Sequence, residues 1–88
     1  MSSENQEKFE RWVIDVCQGL GVRIKDANSD FFEAGGSSLA AVKLIARVEE
    51  EFGEDALPPE DLFSQSAVRD IASCILRNAP RAGAPSDA

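Results

Sequence analysis

Residues 30–52 read DFFEAGGSSLAAVKLIARVEEEF. From Ser38 to Phe52 the chain passes without glycine or proline and stops against Gly53, a natural residue to follow a helix end. A helix of about 22 Å is predicted there. Just upstream stand paired aromatics, paired glycines and paired serines. Gly35 and Gly36 suit a sharp turn, because glycine takes positive φ and lets other groups approach the backbone closely. Ser37 and Ser38 then fall at the helix N-terminus. Their plain role is capping, in which a serine oxygen accepts from a free backbone N–H. The same helix end also favours an anion, through its free N–H groups and the positive end of the macrodipole. A phosphate ester on serine would sit well there.

Working outward, Ser3 with Gln6 fits a capping box. Phe9, Trp12, Val13, Val16, Cys17 and Leu20 follow at the spacing of a one-sided helix, which should end between Gly19 and Gly21. Residues 21–36 show no sustained period and carry turn formers at Asp26, Asn28, Ser29 and Asp30, so they form a long first loop with room for one helical turn. Phe31 and Phe32 pin that loop to the core, one ring inside and one partly exposed. Pro58 and Pro59 open a short helix through Leu62 and Phe63. Ser66 is placed to cap a last helix whose apolar stripe is Val68, Ile71, Ala72, Ile75 and Leu76. The sequence thus predicts an all-α bundle of three main helices plus one short helix, over residues 1–78. Residues 79–88, small, polar and proline-bearing, read as a disordered tail or linker.

Composition narrows the function. The 88 residues make one domain with one core and no room for an enclosed active site. Nine basic against 16 acidic residues, a net charge of −7, argue against a nucleic-acid partner and for partners with basic surfaces. Without histidine or tyrosine the usual general bases and metal ligands are missing, and a catalytic serine would lack its base. A Walker A loop would need a lysine directly after the glycines. Cys17 and Cys74 match no CxxC pattern and fall on apolar helix faces, so they read as buried thiols, with no metal expected. The apolar runs are too short to cross a membrane and the N-terminus is unlike a signal peptide, which gives a cytoplasmic expectation.

DFFEAGGSSL resembles the core motif of thiolation domains, the peptidyl carrier proteins of nonribosomal peptide synthesis within the acyl carrier protein superfamily. That motif has a Phe-Phe pair, two residues, Gly-Gly, one variable residue, Ser and Leu. Downstream, VEEEFG, EDLF and SAVRDIASCI resemble the close of the family's second helix, its short third helix and its last helix. Ser37 stands where the family commonly has His or Asp, Ser29 where an acid is often found, and Ala34 where a larger apolar residue is common.

The resemblance implies an acyl-carrier-like bundle that is not an enzyme. Its cofactor would be 4′-phosphopantetheine on Ser38, flanked by Gly36, Ser37 and Leu39 and transferred from coenzyme A by a phosphopantetheinyl transferase. The arm's thiol would hold an aminoacyl or peptidyl thioester, leaving both cysteines as bystanders. The implied partners are an adenylation enzyme and condensation or tailoring enzymes. They would meet a face of Leu39, Lys43, Ala46 and Arg47, with Phe63 as a second contact, while Val42, Leu44, Ile45, Val48 and Phe52 serve the core. A free-standing monomer is expected. An acyl carrier for a polyketide or specialised fatty acyl unit fits less well, because the first three turns of that face hold no acid. The rivals of other classes are a helical interaction module with GGSS as a cap alone, and a minimal serine hydrolase.

Overall fold

The computed structural model describes residues 2–78, the side chains of 2–4 excepted. Four helices succeed one another: α1 (Ser2–Gly19), α2 (Ser38–Phe52), α3 (Pro59–Ser64) and α4 (Val68–Asn78). The described residues contain no strand, only a single antiparallel bridge between Asp30 and Ala67. The architecture is therefore the all-α bundle with a long first loop that the sequence predicts. The expected tail, 79–88, lies outside the described residues.

Each helix buries the stripe its spacing dictates. On α1, Phe9, Val13 and Cys17 point inward. On α2 they are Ala41, Leu44 and Val48, and on α4 Val68, Ile71, Ala72, Cys74 and Ile75. α1 packs most extensively against α4, and α2 and α3 close the remaining sides. Phe52 sits edge-on to Phe9 (ring centroids 5.1 Å, 83°) and to Trp12 (4.8 Å, 73°), joining the end of α2 to the middle of α1. The segments between helices add Val22, Ile24, Phe31, Ala56 and Leu57 to the core. Burial of that apolar surface, at about 25 cal/mol per Å², is what holds so short a chain in one shape.

The ends follow local chemistry. α2 stops at Gly53, whose φ of 117° suits glycine and whose N–H reaches the Glu49 carbonyl. α3 opens with Pro58 as its cap residue and Pro59 in its first turn, positions that have no need of an N–H.

Three expectations are corrected. Gln6, read as half of a capping box, reaches α4 instead: its amide donates to the Arg69 carbonyl (3.1 Å) and accepts from the Ser73 hydroxyl (3.2 Å). The Ser3 side chain lies outside the described residues. Ser66 does not cap α4: the first α4 amides, Val68 and Arg69, are taken by the Ser29 and Ala27 carbonyls, and the Ser66 hydroxyl donates to Asp30. Val42, assigned to the core, is 61% exposed, since α2 turns it to the solvent side with Leu39.

Candidate functional site

The loop from Leu20 to Ser37 is held by its own polar atoms. Asn28 N–H donates to Asp26 Oδ1 (3.0 Å), and the Ser29 hydroxyl accepts from the amides of Lys25 (3.0 Å) and Asp26 (3.2 Å). Asp30 is the hub. Its Oδ2 accepts from the amides of Phe32 and Glu33, both at 3.0 Å, as an N-cap does, while its Oδ1 accepts from the Ser66 hydroxyl at 2.6 Å. The Ser66 hydroxyl, joined by the Glu33 and Phe32 amides, holds the Asp30 carboxyl below its ordinary value, against the opposing pull of partial burial.

Asp30 caps a single helical turn. Ala34 N–H bonds to the Asp30 carbonyl (2.9 Å), then Gly35 N–H to Phe32 (3.2 Å) and Gly36 N–H to Phe31 (2.8 Å). The last two bonds are the paired closure of a helix C-terminus, with Gly35 at φ 107° in the position that glycine favours. Gly36 answers to a different need: a Cβ there would meet the Phe31 ring and stand 2.6 Å from the Phe31 carbonyl oxygen. The close approach that the glycine pair allows is thus by the chain's own Phe31, which is fully buried.

The two serines have divided roles. Ser37, extended at φ −106° and ψ 175°, caps α2 by accepting from Ala40 N–H at 3.1 Å. Ser38 is the first helical residue and exposed, and no described hydrogen bond uses its hydroxyl. The first turn of α2 carries no acid, so nothing opposes an anion at that helix end.

Around Ser38 lies apolar surface. Among the described residues, Leu39 (64%), Val42 (61%) and Phe63 (53%) are the exposed large hydrophobics, and all three belong to α2 and α3. Phe63 stacks on Phe32 at 5.4 Å and 13°, and Phe32 meets Phe31 edge-on at 5.0 Å. One ring of the Phe pair is therefore inside and the other half-buried, as the sequence suggests. Lys43 and Ala46 share the solvent face of α2 with Leu39 and Val42. Arg47, exposed one turn after Lys43, also lines a groove beside α1 with Trp12, Asp15 and Leu20. Val42 and Asp30 are the residues that sequence reasoning missed here. The Asp-x-x-Glu spacing at 30–33 is a helix-start signature and could have found Asp30.

The cysteines lie off this site. Burial pushes the Cys17 thiol up to about 12. Burial also raises Cys74, and its thiol donates to Asp61 Oδ2 (3.5 Å). Among the described residues no group of three or more His, Cys, Asp or Glu side chains is placed to hold a metal ion.

A small helical bundle with an exposed serine at an acid-free helix head is an arrangement that suits a carrier domain. The chain belongs to the family described as phosphopantetheine attachment site, whose model matches residues 12–75. Its members bind 4′-phosphopantetheine covalently. Over 56 residues, 64% of this chain, it is 38% identical to phosphinothricin tripeptide synthetase PhsC of Streptomyces viridochromogenes and to enterobactin synthase component F of Escherichia coli O157:H7. Over 67 residues, 72% of the chain, it is 39% identical to cyclosporin synthetase simA of Tolypocladium inflatum. The aligned part is 5% of the first of these proteins, 4% of the second and under 1% of the third, so the chain spans a small fraction of the relatives it matches. No solved structure matches it.

Proposed function

We propose that this chain carries aminoacyl or peptidyl groups in nonribosomal peptide synthesis, with Ser38 as the point of attachment. The observation that carries the assignment to Ser38 is the division of labour between the serines: Ser37 is occupied as a cap while Ser38 presents an uncommitted hydroxyl. Its synthetase relatives, 38–39% identical, support the peptide-forming context. When bound, 4′-phosphopantetheine supplies a terminal thiol on which an acyl group is held as a thioester. Ser38 Oγ would take the phosphopantetheine phosphate as the pyrophosphate link of coenzyme A breaks and adenosine 3′,5′-bisphosphate leaves, and the α2 amides and macrodipole would stabilise the negative charge of the phosphodiester. With no histidine in the chain, the proton that Ser38 loses is left to the phosphopantetheinyl transferase. The chain is thus a substrate for other enzymes and itself no catalyst.

Leu39, Val42, Ala46 and Phe63, with Lys43 at their edge, form the face that adenylation, condensation or tailoring enzymes would contact. Arg47, one turn beyond Lys43, extends that face toward the groove beside α1. The carrier unit is residues 1–78, working in the cytoplasm as a monomer.

The test is intact mass before and after incubation with coenzyme A and a broad-specificity transferase. One pantetheine-sized gain is expected in the wild type and in Ser37→Ala, and none in Ser38→Ala. A gain that persists in Ser38→Ala overturns the assignment. A folded wild type unchanged by several transferases leaves the helical interaction module in its place.

A further inference from the structure

The loop that ends in Ser38 has a second attachment, to the head of α4, on the far side of the sequence. Phe31 N–H donates to the Ser66 carbonyl (2.8 Å), Val68 N–H to Ser29 (2.9 Å) and Arg69 N–H to Ala27 (3.0 Å). The first amides of α4, which a helix leaves without internal partners, are thereby satisfied by loop carbonyls. One side chain belongs to both ends of this arrangement. Asp30 grips Ser66 with one carboxylate oxygen and the amides of Phe32 and Glu33 with the other. From those amides the connection to Ser38 is short and stiff: the capped turn 31–34, its closure at Gly35 and Gly36 under the Phe31 ring, and the Ser37 cap.

We propose that Asp30 is the positioning residue for Ser38, fixing where its hydroxyl stands by joining the turn before α2 to the head of α4. This rests on the reading of Ser38 as the attachment point. Asp30 does not touch the reacting atoms; it acts through the turn. Its loss lets the 31–36 segment and the Ser37 cap wander, and a misplaced nucleophile reacts slowly even when the enzyme that modifies it docks normally. The effect therefore belongs in kcat of the attachment reaction, whereas truncation of the exposed Leu39 belongs in KM.

The experiment follows transfer from coenzyme A to the full chain by a broad-specificity transferase, with carrier concentration varied. Asp30→Ala is expected to lower kcat about tenfold or more with KM for the carrier little changed. Ser29→Ala, which removes hydrogen bonds of the same loop outside this connection, is expected to keep the wild-type kcat. Asp30→Asn restores most of the rate, because its oxygen accepts from the Phe32 and Glu33 amides and its NH2 donates to the Ser66 hydroxyl. Amide exchange at Ala40, whose N–H is held by Ser37, is expected to speed up in Asp30→Ala and to recover in Asp30→Asn. Should Asp30→Ala not fold, Ser66→Ala cuts the same connection at one point and is expected to lower kcat at unchanged KM. An unchanged kcat in the folded Asp30→Ala, or in Ser66→Ala where that variant stands in for it, overturns the inference, as does an equal fall in Ser29→Ala. A wild type that gains no mass, together with faster Ala40 exchange in Asp30→Ala, brings down the attachment reading and leaves the link from Asp30 to the α2 cap standing.

Discussion

Gly35 and Gly36 look interchangeable in the sequence and are not. Gly35 has open space where a Cβ would go but a φ of 107°, so Gly35→Ala is expected to cost about 1–2 kcal/mol of backbone strain. Gly36 has no such dihedral, yet its Cβ would push into Phe31, and Gly36→Ala is expected to cost about 1–3 kcal/mol as an overpacked core does. Urea midpoints of the two variants check both values.

Two titrating side chains give opposite pH limbs. Asp30 is held below its unfolded value, so its contribution is present above about pH 4 and lost as pH falls through the folded value. Cys17 is raised from 9.0 to about 12, so the folded state keeps a proton that the unfolded chain gives up. Its contribution is complete below pH 9 and declines as pH rises toward 12, at most about 1.4 kcal/mol per pH unit. Urea midpoints from pH 8 to 11 are expected to fall more steeply in the wild type than in Cys17→Ala. Midpoints from pH 5 to 2 are expected to fall more steeply in the wild type than in Asp30→Asn.

At the scale of elements, α2 was readable almost in full. A run without glycine or proline, ended by Gly53, gave the same bounds that the structure has, because local propensity and capping alone determine them. The rim of its faces was less readable. Val42 lies at the edge of the buried stripe, where 3.6-residue periodicity cannot say which side a neighbouring helix covers. Double truncation of Leu39 and Val42 to Ala is expected to change stability by only about 0.5 kcal/mol, as exposed positions do. The same variant is expected to raise KM for a modifying or loading enzyme, measured by the rate of mass gain at varied carrier concentration. Ser66 shows what one dimension hides most completely. Serine just before an apolar-periodic run is a sound cap signal. No cap forms because the carbonyls of Ala27 and Ser29, distant in sequence, take the first α4 amides, and the hydroxyl donates to Asp30.

Across the molecule, the bundle was legible because each helix buries one stripe, and the stripes are written in apolar spacing. The site was legible in its motif and obscure in its support. Gly-Gly-Ser-Ser before a helix declares a turn and a cap, but nothing in the spacing of Ala27 and Ser29 says that their carbonyls complete α4. A loop that supplies the head of one helix and the lead-in to another is part of the scaffold. Protection of the Val68 and Arg69 amides against exchange is accordingly expected to match that of the α1–α4 core, not that of a surface loop.

The edge-on contact of Trp12 with Phe52 has an optical corollary. The chain has one tryptophan and no tyrosine, so emission excited at wavelengths too long for phenylalanine comes from Trp12 alone. Phe52 closes α2 at the end opposite Ser38, about 21 Å away by the helical rise, so the fluorophore watches the packing of the bundle from the end remote from the serine.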